Sequence, residues 1–265
     1  MGDLVPASGI PTAVAVVVVS AVATAVYSYV AYRISRRRVS PEFRLASAQF
    51  SLWWGGVGAS VALTGLEVVL AALNVLPFPL AMTFYLISII IDCAFLWALT
   101  GFLIYVYTGR YHLLEVTFFY AAFYAFALYW ILAQAPYAVT LMAGIPTIEY
   151  SVSPILALTI VILVGLLAPE IGGAIAYLSL LRRTQDHTAR YRIALVGSSI
   201  LLWFALDAFI PGTTTAWVLA KSLLEVIPGL MSLFAFMPPE WARRRFHLET
   251  PEGMHGDPKE MMADS

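Results

Sequence analysis

Long apolar runs alternate with short polar breaks along this chain, and the runs have the length that crosses a bilayer. A spanning helix needs about 20 mainly apolar residues. Seven stretches meet that requirement: Ile10–Tyr32, Ala46–Leu73, Pro79–Tyr107, Leu113–Ala133, Pro154–Leu181, Ile193–Phe209 and Thr214–Phe236. Turn-forming residues punctuate the breaks, as in Pro77-Phe78-Pro79 after the second run and Pro211-Gly212 after the sixth. The pattern predicts an all-α membrane protein, a seven-helix bundle over residues 1–237 followed by a tail over 238–265. Connections are short except Gln134–Ser153, so no soluble domain is expected between helices.

Polar positions set the expected orientation. Of the 15 Lys and Arg residues, the arginines are Arg33, Arg36, Arg37, Arg38, Arg44, Arg110, Arg182, Arg183, Arg190, Arg192, Arg243, Arg244 and Arg245. All fall in the first, third or fifth connection or just after the seventh run, and the alternate connections carry no Lys or Arg. Cations concentrate on the cytoplasmic side, so the N-terminus is expected outside and the C-terminus inside. The acidic start Met1-Gly2-Asp3-Leu4 does not resemble a cleaved signal, and Pro6 spoils a myristoylation pattern. In the tail, Pro238-Pro239 stop the seventh helix, while Trp241, Phe246 and three arginines predict a short helix at the inner headgroups. The polar remainder is expected to be disordered.

Composition narrows the class further. The chain is 61% hydrophobic and 12% charged, with mean hydropathy +0.83, whereas soluble domains average about 45–50% apolar and about 25% charged. A water-soluble globule is excluded, and the expected location is the cell membrane, with the lipid bilayer as first partner. A net charge of −1 provides no bulk attraction to nucleic acid. The single cysteine, Cys93, excludes an internal disulfide and a CxxC metal site. His112, His187, His247 and His255 all fall on the expected cytoplasmic side, so a metal hydrolase, a bis-His haem or a Ser-His dyad within the bundle lacks its histidine. Gly197-Ser198-Ser199 has no adjacent base, and no glycine motif flanks Asp92 and Asp207 as an aspartyl dyad. Trp53-Trp54-Gly55-Gly56 with Gly58 lies mid-helix without a lysine and reads as close helix packing. No enzyme, metal or nucleotide site is expected.

The informative residues are the ionisable ones inside the runs: Glu67, Asp92, Glu170, Asp207, Lys221 and Glu225. A charge at a helix centre costs at least about 2.5–3.5 kcal/mol on insertion scales, so such groups face the bundle interior and mark a path. Asp207 and Lys221 lie about equally deep on the two arms of the last hairpin, roughly 10 Å from its turn, and are placed to pair. Glu225 is one turn deeper than Lys221 on the same face. Glu170, between Pro169 and Gly172-Gly173, is expected at a kinked or opened helix. The carboxylates outnumber the lysine, so protons, a cation or water must compensate the excess. Glu115 and Glu149, near a helix end and in a loop, read as solvated surface.

Two short stretches repeat. Ala31-Tyr32 leads to Arg37-Arg38, Arg44, Ala46 and Trp53, as Ala176-Tyr177 leads to Arg182-Arg183, Arg190 or Arg192, Ala194 and Trp203. With the fourth helix as linker, this 3+1+3 plan resembles the broad transporter–opsin–receptor group, which includes the sugar-transporting SWEET proteins and the rhodopsins. The resemblance implies two parallel three-helix units. Ala220-Lys221-Ser222, with Pro228 beyond, is similar to the retinal-bearing segment of animal opsins. That similarity implies a Schiff base on Lys221, a counter-ion among Asp92, Asp207 and Glu225, and Trp97 and Trp203 as walls for retinal. The departures are Gly109 where those receptors have an acidic residue before Arg-Tyr, Ile227-Pro228 in place of Asn-Pro, and Trp217 where microbial rhodopsins have an aspartate. An ion pair of Lys221 with Asp207 or Glu225 is the simpler arrangement.

The sequence therefore leads to a polar cavity in the outer half, lined by Glu67, Asp92, Asp207, Lys221 and Glu225, that handles protons, a cation or a small polar solute. The alternative is a membrane sensor signalling through a cytoplasmic or membrane partner, with retinal as its cofactor if Lys221 binds it.

Overall fold

A computed structural model of the chain describes residues 10–36, 41–134, 136–142, 145–151, 168–208, 220 and 223–248. The described residues form helices α1 (Ile10–Ser35), α2 (Arg44–Ala72), α3 (Phe78–Thr108) and α4 (Leu113–Ala133), strands β1 (Pro136–Met142) and β2 (Ile145–Tyr150), and helices α5 (Ala168–Ser179), α6 (His187–Ala208), α7 (Val226–Phe236) and α8 (Glu240–Phe246). Among them, α1 to α4 and most of α6 are long and apolar enough to cross a membrane. The protein is thus a mostly helical, membrane-embedded one. Helices α5 and α7 cover the later parts of the fifth and seventh apolar runs; residues 154–167, 214–219, 221 and 222 of those runs lie outside the described residues.

Helix ends follow local chemistry more than hydropathy. Helix α6 begins at His187, ahead of the apolar run that starts at Ile193. The Asp186 carboxylate accepts the backbone N–H of Thr188 at 3.1 Å and of Ala189 at 2.7 Å, and so satisfies donors that a helix start leaves open. Helix α3 opens with extended Pro77 and a proline in its first turn and closes at Gly109, whose φ of 72° is the left-handed conformation that glycine adopts without a Cβ clash. After α7, Pro238 and Pro239 break the chain and α8 follows. It exposes Trp241 and Phe246 and buries Ala242. Residues 249–265, read as disordered, lie outside the described ones.

The helices pack in chain order. Helix α1 lies along α2, α2 along α3, α3 beside α5, α5 beside α6, α6 beside α7, and α7 returns to α1. Helix α4 sits against α3, outside that ring. The core is aromatic: Trp53, Trp54 and Tyr27 are fully buried, with Phe50, Phe95 and Phe204 around them. The Trp53–Gly58 segment does serve close packing. A Cβ on Gly56 would lie 2.5 Å from Cβ of Phe95, and one on Gly58 would lie 3.3 Å from Cβ of Tyr27.

The connection after α4 holds an antiparallel hairpin that the hydrophobic pattern does not predict, with Val139 opposite Ile148 and Thr140 opposite Thr147. Val139 and Ile148 pack on Ala71, Leu76 and Ala81, so the hairpin caps the Ala72 end of α2 and the Phe78 end of α3. Its signal is a pair of β-branched runs on either side of Ala143-Gly144, inconspicuous in a chain dominated by apolar helices.

Candidate functional site

Asp92 is near the middle of α3 and half-buried. Ser60 of α2 donates its hydroxyl to Asp92 Oδ1 at 3.0 Å. Helices α2 and α3 run antiparallel, so positions between this contact and the α2–α3 connection pair by arithmetic. Glu67, seven residues beyond Ser60, and Tyr85, seven before Asp92, each lie about 10 Å along their helices at the same level. Glu67 is half-buried there. The hairpin closes this end, where the Tyr150 hydroxyl donates to that of Tyr85 at 3.0 Å. Burial, and then the bond to Tyr85, raise the Tyr150 phenol above the ordinary tyrosine range.

Glu225 occupies a second region. It forms a turn immediately before α7, with φ −60° and ψ −21°, so the seventh run is not one uninterrupted helix. Pro228 supplies the cause: it has no N–H for the carbonyl of Leu224, and its ring crowds that carbonyl. The Glu225 carbonyl accepts a short hydrogen bond from the Tyr27 hydroxyl. The Tyr27 ring stacks on Trp54 at 5.2 Å and lies against Gly229, where any Cβ would meet it at 2.6 Å.

The remaining expected site residues are only partly described. Glu170 lies in the first turn of α5 and Asp207 one residue before the end of α6. Their side chains, and Lys221 as a whole, lie outside the described part. Helix α5 runs unbroken through Gly172 and Gly173, so within it the expected opening does not occur. Gly173 instead admits Leu103 of α3, which a Cβ would meet at 2.8 Å. Of the carboxylates expected in the site, the described ones fall at two places, Glu67 and Asp92 on the α2–α3 pair and Glu225 where α7 meets α1.

The two tryptophans expected to flank a polyene have different neighbours. The Trp97 indole donates to Thr117 of α4 at 3.0 Å and lines an apolar groove of about 340 Å³ between α3 and α4 with Cys93, Tyr120 and Tyr124. Trp203 sets its ring edge-on to Phe95 at 5.6 Å and to Phe204 at 4.9 Å.

One feature is marked by neither charge nor hydropathy. Gln49 of α2 is 2% exposed, and neither its amide nitrogen nor its amide oxygen has a hydrogen-bond partner among the described residues. The indole N–H groups of Trp53 and Trp54 are likewise buried and unbonded. A buried polar group left without a partner costs about 1–3 kcal/mol, so three of them close together are a departure from ordinary helix packing. The signal in the sequence is a glutamine one turn from Trp53 inside an apolar run.

Comparison with protein-family models, with curated proteins and with solved structures finds nothing that matches this chain.

Proposed function

We propose that this integral membrane protein transports or conducts protons, a cation or a small polar solute through an intramembrane carboxylate site. One observation carries the reading: Asp92, a carboxylate at the middle of a 31-residue apolar helix, is held by a hydroxyl from the neighbouring helix. Insertion of such a residue costs at least about 2.5–3.5 kcal/mol, which packing alone does not require. Glu67 adds a second carboxylate on the same helix pair, and Glu225 a third at a helix break of the kind tolerated where backbone lines a cavity. In this reading the carboxylates exchange protons or bind the cation. Lys221 sets the electrostatic threshold of the set, and Asp207 and Glu170 belong to its carboxylates. The turn at Glu225 supplies the articulation. The chain crosses the membrane seven times with its N-terminus outside, in a 3+1+3 arrangement, and its role is not enzymatic.

Flux into sealed vesicles tests the reading. Asp92→Asn and Glu225→Gln abolish uptake, whereas Glu115→Gln at the exposed start of α4 leaves it unchanged. Uptake unaffected by Glu67→Gln, Asp92→Asn and Glu225→Gln, with stability raised in each, sinks the site. A protein with no flux that co-purifies with a partner is a sensor. A red-shifted absorption band on adding all-trans retinal, absent in Lys221→Ala, turns the assignment to a photoreceptor or light-driven pump.

A further inference from the structure

We infer that the α2–α3 seam is a proton path gated by Phe95; this rests on the transport reading above and narrows its substrate to the proton. Gln49, Trp53, Gly56, Ser60, Thr64 and Glu67 follow one another at intervals of three or four residues, which places them on one face of α2. Gln49 and Glu67 are separated by about five full turns, or roughly 27 Å, close to the hydrocarbon thickness of about 30 Å. Three contacts show that this face is turned toward α3. The Gln49 amide lies directly over Gly101, where any Cβ would overlap it. Gly56 meets Phe95, and Ser60 bonds Asp92 at 3.0 Å.

From the outer end the seam carries Glu67, then Ser60 with Asp92, then an apolar block, then the unbonded donors of Trp53 and Gln49. The block is Phe95, 3% exposed, wedged over Gly56 and backed edge-on by Trp203. The close approach of the helices at Gly56 and Gly101 leaves no passage for a hydrated cation or an organic solute. A proton needs only titratable groups and a transient file of water. Asp92 takes a proton from the outer side and releases the same proton inward when Phe95 swings aside; its carboxylate then returns to the Ser60 hydroxyl. Trp53 and Gln49 do not carry the proton. Their N–H groups gain acceptors when water enters, so they favour the hydrated state over the dry one.

The experiment is proton uptake by the full chain in sealed vesicles, driven by a potassium diffusion potential and read with an internal pH dye. Phe95→Ala is expected to raise uptake several-fold, and the milder Phe95→Leu to raise it less. Gln49→Leu lowers uptake several-fold while raising Tm, because it removes an unbonded amide; a packing role for Gln49 moves Tm alone. If Phe95→Ala does not assemble, Phe95→Leu and Gln49→Leu carry the test. Uptake that is lost in Asp92→Asn but unaltered by the Phe95 and Gln49 variants overturns the seam and leaves transport standing. Wild-type vesicles that take up another cation in an Asp92-dependent way, and no protons, also overturn the seam alone. No flux of any kind overturns both.

Discussion

Helix α3 has two antiparallel neighbours, α2 and α4, and they meet it in opposite ways. Helix α2 carries Gly55, Gly56, Gly58 and Gly65; at Gly56 an added Cβ would collide with Phe95 of α3 at 2.5 Å, and at Gly58 and Gly65 it would crowd Tyr27 and Ser20 of α1 at 3.3 and 3.2 Å. Helix α4, Leu113–Ala133, has no glycine and is dense in Phe and Tyr. It stands off far enough to leave the groove lined by Cys93, Trp97 and Tyr124. Its outward rings remain uncovered, with Phe118 77% and Tyr129 70% exposed. Besides the buried Val116 and Tyr120, two polar clasps tie it to α3, Trp97 to Thr117 at 3.0 Å and Thr100 with Tyr120 at 2.7 Å. Both α2 and α4 are apolar enough to span, so hydropathy alone ranks them together. Within lipid there is no hydrophobic drive for one helix against another, and small residues decide which pair packs closely.

Substitutions that exchange these characters separate the two contacts. The largest effect is expected from Gly56→Val, which forces branched atoms into Phe95; the loss is about 1–3 kcal/mol or more, measured as Tm in detergent. Phe118→Leu on the outward face of α4 changes stability by no more than about 0.5 kcal/mol; a loss equal to that of Gly56→Val erases the contrast. Thr100→Val removes the buried hydroxyl bonded to that of Tyr120 at 2.7 Å and costs about 0.5–1.5 kcal/mol, whereas Trp97→Phe breaks an exposed clasp and costs about 0.5 kcal/mol or less. If the Trp97 variant is the more damaging, the groove is stiffer than the packing implies. Ser60→Ala is expected to weaken proton uptake while leaving stability within about 1 kcal/mol of wild type; unchanged uptake detaches Ser60 from the site.

The smallest effect lies in the hairpin above α2 and α3. The Tyr137 phenol, hydrogen-bonded to the Glu149 carboxylate and further opposed by that charge, titrates above the ordinary tyrosine value. Its folded-state value is raised, so the stabilisation is present at neutral pH and fades as pH rises through that value. Glu149→Gln brings the phenolate absorbance transition down toward the ordinary range. An unmoved transition shows that the bond does not form in solution.

Legibility in the sequence divides along the same line as local and long-range physics. Membrane embedding, the extents of α1 to α4 and the tail helix behind Pro238-Pro239 depend on composition, run length and punctuation within a few residues, and those patterns are visible in one chain. The packing role of the Trp53–Gly58 segment was legible too, since small residues next to large ones mid-helix have few other uses. The site was less so. Ser60 and Asp92 are 32 residues apart, and the rotation that turns one to the other is set by how Gly56 and Gly101 let α2 seat on α3. Gln49 looks unremarkable in a string of letters; its significance comes from burial without a partner. Helix order around the bundle, the standing-off of α4, the hairpin over α2 and α3, and the break at Glu225 covered by Tyr27 from 198 residues away were decided by tertiary structure. Hydropathy says that a helix enters the membrane, but only interhelical contact decides which of its faces another helix covers.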